Sequence, residues 1–146
     1  MNEVNRLQVV SGLITRTHSG VIQILLAQRP VNKEFPYLWE TPGGRVESGE
    51  TGQEAVEREV LEELGVRANV RTSTIAFATY DPPHVRTGCT LYMFRGYVSA
   101  AAVDPKPLEG QHRVGWYTLA DVTGMRFTSF SEHCRSLIEA ALRGEQ

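Results

Sequence analysis

The chain has 146 residues, with 15 Lys plus Arg against 17 Asp plus Glu and a formal charge of -2, so no global excess of basic charge is present to hold a nucleic-acid polymer. At this length one ordinary core is within reach, and residues 1–146 read as a single domain. The 41% apolar and 22% charged content is that of a soluble globular protein, and no apolar run approaches the ~20 residues that cross a bilayer as a helix.

In chain order, residues 7–15 and 21–27 are rich in Val, Ile and Leu around the polar turn His18-Ser19-Gly20, which predicts a β-hairpin. Residues 28–50 carry Pro30, Pro36 and Pro42-Gly43-Gly44, so this stretch reads as a long, functional loop without a regular element. Thr51-Gly-Gln-Glu54 has the form of a capping box and opens a helix over 52–64, with Val56, Val60 and Leu64 as its buried stripe and Gly65 as its stop. Strands follow at 72–80 and 90–98, separated by the polar turn 81–88, and a short strand contains Trp116 and Tyr117. Ser129-Phe-Ser-Glu132 reads as a second capping box, opening a closing helix in which Cys134, Leu137, Ile138, Ala141 and Leu142 keep helical spacing up to Gly144. This order suggests a mixed sheet sandwiched between helices, α/β or α+β in class. The amino terminus MNEVNRLQ lacks the charged and apolar regions of a secretory leader, and the expected location is cytoplasmic. Cys89 and Cys134 belong to no CxxC or Cys/His cluster and read as small apolar groups.

The chemistry concentrates on the first helix. Glu59, Glu62 and Glu63 stand at i, i+3 and i+4, so they leave the helix within one arc, opposite much of the apolar stripe. Like charges at that spacing disfavour a helix, and a divalent cation such as Mg²⁺ would offset them. Glycines at 43 and 44 would let the backbone come close to a phosphate.

The segment from Gly44 through Glu50, Arg58, Glu59, Val60, Glu62, Glu63 and Gly65 to Val66 resembles the signature of the Nudix hydrolase family, G-x5-E-x7-R-E-U-x-E-E-x-G-U with U aliphatic, at all nine specified positions over 23 residues. The resemblance implies an α/β/α sandwich and a pyrophosphohydrolase that works with Mg²⁺ or Mn²⁺. It also implies that Glu59 and Glu63 are the principal metal ligands, with Glu62 sharing the cluster and the Gly43 carbonyl adding an oxygen. Arg58 and Glu50 pair in the family pattern, and the Arg orients a catalytic Glu. Leu108-Glu109-Gly110-Gln111 before Trp116 is similar to the stretch that supplies a later carboxylate in the MutT-like branch, which makes Glu109 a metal ligand or general base. The neighbouring His112 reads as an exposed loop residue.

Gln28-Arg29-Pro30 and Leu38-Trp39-Glu40-Thr41-Pro42-Gly43-Gly44 are similar to MutT-like nucleoside triphosphate pyrophosphohydrolases. That likeness assigns substrate contacts to Arg29, Thr41, Gly44 and Ser131. Thr41 departs from the bulky apolar residue often found there, and Ser131 stands where the 8-oxoguanine-specific enzyme has an Asn. The expected substrate is a nucleoside triphosphate bound by a monomer or homodimer. ADP-ribose or a nucleotide sugar is the alternative, because Pro82, sixteen residues past Val66, resembles a marker of ADP-ribose pyrophosphatases. A nucleotide-binding module without catalysis is the third reading, disfavoured because all the carboxylates are present.

Overall fold

The computed structural model describes residues 6–81, 87–99 and 101–145. Strands β1 (Leu7–His18) and β2 (Val21–Gln28) form the expected hairpin, paired antiparallel from Thr15↔Ile24 to His18↔Val21. Ser19 and Gly20 in the turn have φ of 51° and 78°, the two positive values that match the strands' right-handed twist. The stretch 28–50 is not wholly irregular, contrary to the sequence reading. It contains β3 (Trp39–Glu40) against β2 and β4 (Gly43–Arg45) against β1. Pro42 falls between the two strands, where its missing N–H costs nothing and its carbonyl accepts from Gly12 N–H at 2.9 Å. A Cβ on Gly43 would collide with the Val10 carbonyl, so β4 can lie against β1 only with glycine there.

Helix α1 spans Gly52–Leu64 as expected. Glu54 N–H donates to Thr51 Oγ1 at 3.1 Å and Thr51 N–H to Glu54 Oε1 at 3.0 Å, completing the capping box. Gly65 closes the helix at φ 69° with its N–H on the Leu61 carbonyl. Strand β5 (Asn69–Tyr80) starts three residues before the predicted 72, since Asn69 and Val70 already pair with Tyr97 and Gly96 of β6 (Cys89–Tyr97). The register shifts between Val70 and Thr74 break the alternation on which a strand is recognised.

Strand β6 runs parallel to β1, and β7 (Arg113–Tyr117) pairs antiparallel with β2, giving a mixed sheet in the order β3-β2-β1-β6-β5 with β4 on β1 and β7 on β2. The short α2 (Leu119–Thr123), unforeseen in the sequence, has its own capping box from Thr118 and Asp121. The closing segment is two helices, α3 (Ser129–His133) and α4 (Arg135–Leu142), broken at Cys134. Ser129 is not a cap. Pairing with β3 holds the chain extended through Thr128, whose N–H donates to the Trp39 carbonyl at 2.9 Å, so the N-cap falls on Thr128, which makes no side-chain cap bond.

The central strands bury both faces. Leu25 and Ala27 pack with Val56, Val60 and Leu64 of α1 on one side. Ile24 and Leu26 pack with Ile138, Ala141 and Leu142 of α4 on the other. This is an α/β/α sandwich. Among the described residues no helix is long and apolar enough to cross a membrane. Cys89 is half-buried and Cys134 buried, both unpaired, and burial pushes the Cys134 thiol up to about 11.

Candidate active site

The amphipathic pattern of α1 turns its acidic side toward β4 and the loop before it. Arg58 organises that side. Its Nε and Nη2 donate to the two oxygens of Glu50 at 2.7 and 3.0 Å, in the bidentate geometry that only a guanidinium offers. Nη1 donates to Glu59 at 2.9 Å and to Glu62 at 3.2 Å, and Nη2 also reaches the Arg45 carbonyl at 2.9 Å. The Glu50 carboxyl is held below its usual range, first by these Arg58 bonds.

Glu59 therefore has a fixed position. A Cβ at Gly44 would lie 2.5 Å from its carboxylate carbon, so the half-buried Glu59 sits directly over that glycine and leaves no room for a side chain. One turn further on, Glu63 is pushed up to about 9, first by burial and then by the carboxylates of Glu59, Glu109 and Glu40.

Glu63 and Gly44 line a cavity of about 340 Å³ that also meets Gly43, Glu109, Arg29 and Glu40. Glu109 arrives from a distant loop because that loop is docked on the end of α1. Leu108 N–H donates to the Glu63 carbonyl at 3.1 Å and Lys106 N–H to the Leu64 carbonyl at 2.9 Å. Arg29, at the end of β2, donates to the Glu34 carbonyl at 2.7 Å and faces Glu40 at 3.4 Å. Burial raises the Glu40 carboxyl, partly relieved by Arg29 and Lys33.

The other wall of the cavity is neutral. Ser11 of β1 shares a buried hydrogen bond with Thr41, and Ser131 of α3 accepts from the Thr41 N–H at 3.2 Å and shares a bond with its hydroxyl at 3.2 Å. Thr41 and Ser131, 90 residues apart, thus meet on one cavity wall.

Gly43, Gly44, Glu63, Glu109, Arg29, Thr41 and Ser131 are all brought to this cavity, with Glu59 beside it over Gly44. Glu62 is not, since it is exposed and turned to Arg58. His112 is exposed, edge-on to Tyr37 at 4.9 Å. Pro82 lies outside the described residues. Ser11, Lys33 and Glu40 also line the cavity and were not singled out from sequence.

Among the described residues no three acidic, His or Cys side chains stand close enough to hold an ion as they lie. The donors nevertheless fit a hard cation in kind. Glu63 has the carboxylates of Glu59 and Glu109 within electrostatic reach, and its raised value marks negative charge that a proton or a cation would offset.

Similarity to known proteins follows the same lines. The 8-oxo-dGTP diphosphatase of Proteus vulgaris is 36% identical over 66 residues, 45% of this chain and 56% of that protein. The CTP pyrophosphohydrolase of Escherichia coli is 44% identical over 64 residues, 44% of each. The chain therefore spans about half the length of these curated relatives. A solved MutT structure, from work on the enzymes of Aliivibrio salmonicida and Vibrio cholerae, superposes with a TM-score of 0.65 at 27% identity over 94% of this chain and 99% of that one. Residues 5–137 match the NUDIX domain, and with its helix, glycine loop and carboxylates in one sandwich the chain belongs to that family.

Proposed function

We propose that the chain, acting as one domain over residues 1–146, cleaves a nucleoside triphosphate to the monophosphate and pyrophosphate with Mg²⁺, for which Mn²⁺ can substitute. The observation that supports this best is one cavity lined by the carboxylates of Glu63 and Glu109 together with the cations Arg29 and Lys33, beside a Glu59 fixed over Gly44. The two relatives above are named for nucleoside triphosphate substrates. Unpaired Cys89 and Cys134 suit a reducing, cytoplasmic setting.

Glu59, Glu63 and Glu109 would hold the cation with the Gly43 carbonyl, and Glu62 would lie at the margin of the cluster. When bound, the cation neutralises the anhydride's charge and favours ionisation of water. The remaining work falls to the chain. Arg29 and Lys33 bind the phosphates, Arg29 with its fork of donors. Arg58 keeps the Glu59 carboxylate in place over Gly44, whose missing side chain makes room for that carboxylate, and Glu109 takes a proton from the attacking water. The hydroxyls of Thr41 and Ser131 meet the nucleoside.

The test is product analysis with Mg²⁺ on a panel of nucleoside triphosphates, ADP-ribose and nucleotide sugars. Monophosphate and pyrophosphate from a triphosphate are expected. Faster cleavage of ADP-ribose or a nucleotide sugar would replace the substrate class, and tight binding without turnover would replace the enzyme by a binding module.

A further inference from the structure

A second cavity, of about 810 Å³, opens beside α4 at the other end of β1 and β6 from the acidic one. Its apolar lining includes Leu13, Ile22, Leu137 and Ala141. Arg71 and Arg95, which also line it, both lie over the ring of Tyr97, with guanidinium carbons 5.1 and 4.3 Å from the ring centroid. Arg95 is anchored through Nη1, which donates to the Leu13 carbonyl at 3.0 Å and the Gly96 carbonyl at 2.9 Å.

Arg71 reaches this place through an irregularity of the sheet. Between Val70↔Gly96 and Thr74↔Phe94, β5 advances four residues while β6 advances two. Bulges of this kind re-aim side chains and recur beside functional sites. Here the bulge sets a second guanidinium against Tyr97, although two cations so close repel one another. Burial and then the Arg71 charge weaken the hold of Arg95 on its proton. Among the described residues neither Arg71 nor Arg95 pairs with a carboxylate, and Glu145, the acidic residue on the rim, is paired with Arg143 at 2.9 Å. The volume is in the range of small-molecule sites.

We propose that this cavity is a second ligand site, separate from the acidic one, that takes a small phosphorylated molecule with a flat apolar body, its phosphate paired with Arg71 and Arg95. A dianionic phosphate matches two guanidinium groups better than a single carboxylate does. The apolar lining accounts for the body. The proposal does not depend on the hydrolytic reading.

The probe is 1-naphthyl phosphate, which has no anhydride bond to cleave, titrated into the full chain in EDTA and followed by calorimetry and by amide and arginine side-chain NMR. Saturable binding is expected, with shifts at residues 71–73 and at Arg95. Arg95→Met and Arg71→Met should each weaken it by at least about tenfold, with 1-naphthoate weaker than the phosphate and 1-naphthol weaker still. Glu63→Gln should leave the affinity unchanged. Should Arg95→Met fail to fold, the exposed Arg71 carries the test alone. Absence of saturable binding, equal binding of 1-naphthol or 1-naphthoate, an unaltered affinity in Arg71→Met, or shifts confined to the Glu63 cavity would overturn the proposal.

Discussion

The two walls of the acidic cavity are made in different ways. Gly44 comes from β4 and Glu63 from the helix that follows it, with Glu59 of that helix beside them over Gly44, and Glu109 is added by a docked loop. The facing hydroxyls come from β1, from the turn after β3 and from α3. The first wall gathers like charges that are unfavourable without a counter-charge, as the raised Glu63 records. The second is neutral, and its hydroxyls hydrogen-bond to one another. On the proposed function, turnover would fall to the acidic wall and choice among nucleotides to the hydroxyl wall.

The strongest way to break that assignment is Glu63→Gln. The amide keeps the shape but cannot ionise to hold a cation, so kcat should fall by at least about 100-fold while the far-ultraviolet spectrum stays unchanged. Near-normal turnover would show that the acidic wall is only a solvated helix face. Arg29→Lys is expected to act next most strongly. It keeps a cation at the end of β2 but loses the fork, and loss of one charge-assisted bond, about 1.5–3 kcal/mol, corresponds to a fall of roughly 10- to 150-fold in kcat/KM for the preferred triphosphate. Steady-state kinetics on both variants would rank them.

The same contrast governs what the sequence disclosed. Glu59, Glu62 and Glu63 were legible because helical spacing is local, and the capping box and Gly65 marked both ends of α1. Their differing fates were not, because Glu62 follows Arg58 and Glu63 follows the burial imposed by the loop at 106–109. Ser11 was silent, since a serine inside an apolar strand carries no sign of a partner 30 residues away. Glu40 was silent because a two-residue strand in a proline-rich loop has no period to read. Thr41 and Ser131 were found through resemblance alone, and the hydrogen bond joining them depends on the start of α3, which the sequence placed at Ser129 as a cap rather than at Thr128.

A pH experiment sharpens the acidic half of the comparison without any substrate. The Glu63 carboxyl lies near 9 in the folded protein, above the value of about 4.3 in an unfolded chain. The folded state thus binds this proton more tightly. Its contribution to stability is complete below about pH 4 and is lost as pH rises through about 9. Glu50 and Glu132, both lowered by arginine hydrogen bonds, work in the opposite sense and at more acid pH. Metal-free protein should therefore melt at progressively lower temperature from about pH 5 to about pH 9. Glu63→Gln should flatten that slope, and Mg²⁺ at alkaline pH should restore the wild-type melting temperature. Equal slopes for the two proteins would place the buried charge elsewhere.

Ser131→Ala has the smallest expected effect and tests the other wall. Ser131 is 2% exposed, and its hydroxyl accepts the Thr41 N–H at 3.2 Å. Alanine leaves that N–H without its partner in a buried place, at a cost of about 1–3 kcal/mol, which lowers Tm by roughly 2–12 degrees. The acidic wall is untouched, so kcat on the preferred triphosphate should change by no more than about threefold, within about 0.7 kcal/mol of the barrier. The ratios of kcat/KM between purine and pyrimidine triphosphates should shift by up to about tenfold, because the nucleoside meets a wall with one hydroxyl fewer. If Ser131→Ala instead lowers kcat on every nucleotide as far as Glu63→Gln does, while its Tm falls by no more than roughly 12 degrees, the hydroxyl wall takes part in turnover and the division between the two walls fails.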